Sequence, residues 1–167
     1  MKSDYEFEKN KQIGDQGEIW TFGYLECYCK FTNQSIKNVQ HYFGEGVYRW
    51  QNKRLPDFLL MSPEGKGTFV EVKCKEGVGE YLNISCSHIH DYEWCAKQKG
   101  YDLFILFFCL KDLCVYKLTQ SDFRKYADVS SPIENPRDRY FLYEKDNLEK
   151  WSSSLPSSLF NNDILHK

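Results

Sequence analysis

Apolar positions along the 167-residue chain change their period several times, and those changes predict its elements. From about Tyr5 to Lys30, apolar or small residues recur at Ile13, Gly17, Trp20, Tyr24 and Cys27. Steps of three and four place them on one face of a helix. Gly14 and Gly17 fall inside it, where each costs roughly 1 kcal/mol against Ala. Either the backbone is closely approached there, or the helix begins near Asp15. One or two strands are expected within Ile36–Trp50, with Gly44 and Gly46 marking a turn. The stretch LPDFLLMSPEGKGTFVEVK, residues 55–73, holds two short apolar runs around SPEGK and predicts a β-hairpin. Residues 85–100 read as a helix, with Ser85 at its start, Lys97 and Lys99 in its last turn and Gly100 at its stop. LFILFFCL, 103–110, has the continuous apolar run of a strand buried on both faces. LCVYKL, 113–118, alternates like another strand, and SDFRKYA, 121–127, is expected as a short helix.

The order is therefore helix, two or three strands, helix, strand, strand. It predicts an α/β domain with a central mixed sheet flanked by helices. The length suits one domain, with its core over residues 1–129. After Ser130 the chain turns polar and Pro-broken, so 130–167 is expected as a peripheral extension, in the same domain or partly mobile.

Composition narrows the class. An apolar fraction of 41% and an aromatic fraction of 17% fit a globular protein, not a disordered one. The opening MKSDYEFEKNKQ lacks an apolar signal core, and the 103–110 run is too short to span a bilayer. The seven cysteines are an odd number, which favours reduced thiols and a cytoplasmic location. Cys27-x-Cys29 raises the possibility of a metal or redox site, but no second Cys/His pair stands at zinc-like spacing. Cys74, Cys86, Cys95, Cys109 and Cys114 read as small buried hydrophobes. A net charge of −2 supplies no global field for a polyanion, so any such partner must meet a local basic groove.

The hairpin carries the candidate chemistry. If 62–66 is the loop, Met61 pairs with Gly67, and the same register sets Asp57 opposite Glu71. Opposed Cβ atoms lie about 4.5 to 5.5 Å apart, and like charges there are destabilising. Alternation puts Glu71 and Lys73 on one face and Val70, Val72 and Cys74 on the other, apolar one. Two readings are open: a solvated face on an exposed hairpin, or a carboxylate pair relieved by Lys73 and by a divalent cation. Pro56 places Asp57 at a strand start, and Leu59 and Met61 share its direction, so the patch borders a packed layer.

Pro56-Asp57 followed by Glu71-Val72-Lys73 resembles the PD-(D/E)XK motif of the restriction-endonuclease-like nuclease superfamily, whose αβββαβ core has a similar element order. GDQGE, Gly14 to Glu18, is similar to the Gly-x-x-Gly-Glu opening of the branch containing archaeal Holliday junction resolvases. The likeness spans residues from about 10 to 108, and nothing after Leu110 shares it. It implies a metal-dependent endonuclease acting on DNA, as a homodimer. Asp57, Glu71, the Val72 carbonyl and Glu18 would then hold Mg²⁺ or Mn²⁺, an oxygen-only set of the kind such ions take. Lys73 would orient or deprotonate the attacking water, and its carboxylate neighbours favour an electrostatic role over a basic one.

Family members often carry Gln or Lys on the second helix, and the matching place here is Ser87, His88 or His90. The two histidines are two residues apart on a helix and do not face each other, so they are not expected to chelate one metal. His88 is the candidate phosphate contact. Basic residues mix with aromatics at Tyr48-Arg49-Trp50 with Lys53-Arg54, and at Arg137, Arg139 and Tyr140. Arg49, Lys53 and Arg54 are the candidates to line a DNA groove. The competing reading is a nuclease-fold module that binds nucleic acid or protein without cleaving it.

Overall fold

A computed structural model describes residues 4–39, 49–125, 127–129 and 139–152. Helix α1 (Asp4–Thr32) runs unbroken through both glycines, so it does not begin near Asp15. Gly17 is where the backbone is approached: a Cβ there would come within 3.1 Å of Cys74 Cβ. Gly14 meets nothing within 4 Å. The helix ends at Asn33, whose φ of 54° lets Gln34 N–H donate back to Cys29 O at 2.9 Å.

Six strands form the central sheet: β1 (Ser35–Asn38), β4 (Phe58–Met61), β5 (Gly67–Lys75), β7 (Asp102–Cys109), β8 (Cys114–Thr119) and β11 (Glu149–Ser152), side by side in that order. β1, β4 and β5 are antiparallel neighbours. Helix α2 (Cys86–Lys99) then carries the chain across to β7, parallel to β5, and β8 and β11 return antiparallel. Gly100 stops α2 at φ 66°, and Tyr101 N–H closes the last turn on Ala96 O at 3.0 Å.

Strand β7 explains its own apolar run. Leu103, Ile105, Phe107 and Cys109 point into one buried cluster, and Leu106 and Phe108 into a second. The second cluster lies under α1, which contributes Leu25 and Cys29. The first lies under α2, which contributes Ile89, Tyr92, Cys95 and Ala96. At about 1.5 to 3 kcal/mol per buried large side chain, these two layers hold the sheet between the helices. Among the described residues no helix is long and apolar enough to cross a membrane.

The one or two strands expected within 36–50 are β1 at 35–38 and β2 (Arg49–Trp50), while Gly44 and Gly46 lie outside the described residues. β2 pairs with β3 (Lys53–Arg54) in a tight hairpin that was not expected, turned by Gln51 and Asn52 at φ 49° and 64°. Positive φ at both turn residues matches the twist of a two-residue hairpin. The expected helix over 121–127 is only α3 (Asp122–Lys125), after which Ala127 begins β9 (Ala127–Val129).

A second sheet was not foreseen. β6 (Tyr81–Ser85) and β9 flank β10 (Tyr140–Glu144), and Leu82, Ile84 and Tyr143 bury themselves in the α2-side cluster. Lys145, which follows β10, donates to Gly79 O at 2.8 Å and pairs with Asp112 at 2.7 Å. It ties the loop after β5 to the β7–β8 turn. Residues 140–152 thus supply a strand to each of the two sheets.

The chain is packed tightly where it leaves the hairpin loop. A Cβ on Gly67 would sit 2.6 Å from the Tyr101 ring, so Gly67→Ala is expected to cost about 1 to 3 kcal/mol by overpacking. Gly14→Ala, with open space around it, should gain roughly 0.5 to 1 kcal/mol. Urea melts of the two variants should move in opposite directions.

Candidate functional site

The β4–β5 hairpin reverses at 62–66. Ser62 N–H donates to Lys66 O at 2.9 Å, Lys66 N–H donates to Ser62 Oγ at 3.1 Å, and Gly65 takes φ 82°. Met61 pairs with Gly67 and Phe58 with Val70, so continuing the ladder by one residue brings Asp57 level with Glu71. Asp57 sits just before β4, and its carboxylate leans onto the neighbouring strand. There Val72 N–H donates to Oδ2 at 2.8 Å.

The charged face of β5 is not a solvated one. Glu71 is 2% exposed, beneath α2. Tyr92 Oη donates to Glu71 Oε1 at 2.6 Å, and Lys73 Nζ donates to the same oxygen. Lys73 Nζ also lies 3.3 Å from Tyr92 Oη and 5.6 Å from the centre of its ring. One oxygen of Glu71 is thus fully engaged. The other, Oε2, is buried and has no hydrogen-bond partner among the described residues.

The surroundings push the acids toward protonation. Burial, then the charges of Glu71 and Glu18, hold the Asp57 carboxyl well above its usual range, against Lys73 and the Val72 N–H. Asp57 keeps some accessible surface, but protein atoms crowd its carboxyl. Burial, then Glu71 and Asp15, raise Glu18, which α1 brings into the same field. Burial works against the charge of Lys73, yet Glu71, Asp57 and Glu18 outweigh it and hold the ammonium above its ordinary value. Lys73 is therefore a fixed cation. Tyr92 stays protonated, through burial first and Glu71 second.

Tyr92 escaped the sequence reading, which looked for the second-helix contributor at Ser87, His88 or His90. The helical period held the signal, since Tyr92 stands one turn beyond His88 and shares the buried face with Ile89, Cys95 and Ala96. His88 lies edge-on to Tyr92 at 6.1 Å. Burial, then the charges of Lys73, Arg54 and Lys75, lower its pKa to about 4, so it is neutral near pH 7. His90 points elsewhere, against Phe141 at 5.7 Å. Arg54 donates to Ser87 Oγ at 3.4 Å beside this group. Lys53 is paired with Asp91 at 3.3 Å, and Arg49 donates to Asn52 O at 3.3 Å within its own turn. Arg139 O accepts from Cys86 N–H at 2.9 Å and Tyr140 pairs with Ser85, while Tyr48 and Arg137 lie outside the described residues.

Solved structures similar to this one belong to nucleases. D212, described as a nuclease from a fusselovirus, aligns over 83% of this chain and 87% of its own, with TM-score 0.51 and 10% identity. Hjc, described as a Holliday junction resolvase of Archaeoglobus fulgidus, aligns over 73% of this chain and 84% of its own, with TM-score 0.48 and 14% identity. The chain has the restriction-endonuclease-like nuclease fold. No family model and no curated protein matches the sequence. At these identities the likeness is one of fold, and the nuclease fold's sheet is the one that here carries Asp57, Glu71 and Lys73.

Two outcomes follow from the geometry. Tyr92→Phe removes a donor from a buried carboxylate and should cost about 1 to 3 kcal/mol in denaturant melts. His88 has a folded-state pKa of about 4 against an ordinary 6.5, so between these values the unfolded chain binds more protons. Through this group, stability is lost as pH falls across that window. The raised Glu18 and Asp57 carboxyls act in the opposite sense there. His88→Gln should therefore lose less melting temperature than wild type between pH 6.5 and pH 4.

Proposed function

We propose that this chain is a metal-dependent endonuclease that hydrolyses DNA phosphodiester bonds, working in the cytoplasm as a homodimer whose two sites address two strands. The observation that carries the reading is Glu71: buried, held on one oxygen by Tyr92 and Lys73, and left with Oε2 unpartnered. An uncompensated buried oxygen beside two further acids is costly, and a divalent cation is the partner that would relieve all three.

The residues fit such an ion by their chemistry. Asp57, Glu71, Glu18 and the Val72 carbonyl offer hard oxygen donors, suited to Mg²⁺ or Mn²⁺. Among the described residues no three His, Cys, Asp or Glu side chains already stand as a metal cage. Mg²⁺ typically takes only one or two carboxylates and keeps several waters, so a loose set suffices. When bound, the ion would lower the pKa of a coordinated water and stabilise charge on the phosphate. Lys73 contributes a fixed positive charge for the phosphate oxygens, and Tyr92 engages Glu71 through Oε1 and leaves Oε2 without a hydrogen bond. The fold shared with D212, itself described as a nuclease, supports the reaction class.

A second reading, a nuclease-fold module that binds nucleic acid or protein without cleaving, is favoured by the lack of a preformed three-ligand cluster among the described residues. Nicking of supercoiled plasmid in Mg²⁺ or Mn²⁺ separates the two. Asp57→Ala and Lys73→Ala should each slow nicking by about a hundredfold or more. Equal residual nicking in wild type and variants would overturn the endonuclease reading in favour of the module.

A further inference from the structure

We infer that Lys75, Arg54 and His88 form a subsite for the backbone phosphate next to the one cleaved, so that a bound strand runs from β5 across the first turn of α2. The inference rests on the nuclease reading and adds a direction for the substrate.

Strand alternation sets Glu71, Lys73 and Lys75 on one face of β5. A two-residue step is about 6.7 Å, comparable to the spacing of successive phosphates along an extended strand. Lys75 is therefore one phosphate further along than Lys73. Arg54 comes to the first turn of α2 from β3, which its backbone N–H pins to α2 through Asp91 Oδ2 at 3.2 Å. Its guanidinium is steadied on Ser87 Oγ at 3.4 Å. His88 closes the group from α2, and its contact with Tyr92 joins it to the Glu71 network.

Charge changes sign over this short distance, with Lys73 bridging the two sides through its bond to Glu71 Oε1. On one side stand Asp57, Glu71 and Glu18, which repel one another. On the other, His88 feels Lys73, Arg54 and Lys75 together, opposed by Asp91. Asp91 is itself engaged, by Lys53 at 3.3 Å and by the Arg54 N–H. A phosphodiester chain with a cation at its scissile group would bring an anion to Arg54 and Lys75 and a cation to the acids. Because His88 is neutral, it can donate one N–H to a phosphate oxygen without adding a further positive charge.

The test reads binding with Ca²⁺ in place of Mg²⁺, by anisotropy of a fluorescein-labelled 15-nucleotide oligothymidylate and of a duplex of the same length, across a KCl series. Lys75→Ala should make the slope of log K against log salt shallower by about 0.7 for the single strand and about 0.9 for the duplex. Lys75→Gln, which keeps the aliphatic stem, should do the same, and Lys75→Arg should restore the wild-type slope. Lys66→Ala, at the other end of β5 and paired there with Asp102, should change nothing. A thymidine dinucleotide phosphorylated at one end should compete about tenfold better than the unphosphorylated one on wild type, and no better on Lys75→Ala. An unchanged slope in Lys75→Ala, an equal shift in Lys66→Ala, or no gain from a phosphate at either end would overturn the subsite. Mn²⁺ affinity by calorimetry should be the same in Lys75→Ala and wild type, and a large loss would move Lys75 into the metal centre instead. If the slopes shift but plasmid is never nicked, the endonuclease reading fails while the phosphate site stands. If nicking depends on Asp57 and the slope does not depend on Lys75, only the subsite fails.

Discussion

Two carboxylates share one rung of the β4–β5 hairpin, and much of the surrounding architecture answers that placement. The turn at 62–66 sets the register, and the register allows no choice about which residues meet. Like charges across an antiparallel pair are unfavourable even in water, and here one of them is buried. The chain compensates from three directions. Val72 supplies a backbone N–H to Asp57, Lys73 supplies a charge from the same strand, and Tyr92 supplies a hydroxyl from the helix above. All of these reach Asp57 Oδ2 or Glu71 Oε1. None reaches Glu71 Oε2. A folded protein seldom leaves a buried charged oxygen unmatched, so the exception is where an external partner is to be sought.

The parts legible in the sequence were those decided by neighbours along the chain. A five-residue reversal and strand alternation are local rules, and they were enough to bring Asp57 and Glu71 level. Glu18 was legible only through the motif around it, since a helix of this length has many rotational settings over a sheet. Tyr92 was missed for a related reason. Which of His88, His90 and Tyr92 meets β5 depends on how α2 rolls on the sheet, and that is set by where Ile89, Cys95 and Ala96 find room. The β2–β3 turn was invisible because Gln51 and Asn52 adopt positive φ without the glycine that usually announces it. The second sheet joins β6 to β10, some sixty residues later in the chain, and nothing in either segment names the other.

Burial gives these acids a different chemistry from the surface carboxylates that dominate the chain's count of charges. In water, Asp57 and Glu18 would ionise with little cost. Burial and the charge of Glu71 hold both toward the neutral form, with Glu18 adding to the effect on Asp57 and Asp15 to that on Glu18. Lys73 does not suffice, because its ammonium is already spent on Glu71 Oε1 and shared with Tyr92. The same crowding explains why Lys73 is ill suited to accept a proton: three acids hold it charged despite its burial. Three acids and a locked lysine together make a cluster of opposed charges in which the ammonium is the fixed member.

That division bears on how a polyanion would approach a protein whose net charge is −2. Steering from a distance needs a field that outlasts screening, and at physiological salt charges are largely screened beyond about 8 Å. The chain as a whole offers no such field. On the proposed function, attraction would come from Arg54, Lys73 and Lys75 at contact, with the acids working against it until a cation is present. On the proposed function, metal and nucleic acid would not be independent ligands. Each would remove the repulsion that opposes the other, so the affinity for either should rise in the other's presence by the same factor, as linkage requires. A site built from opposed charges over one buried strand would favour productive binding only with both partners in place.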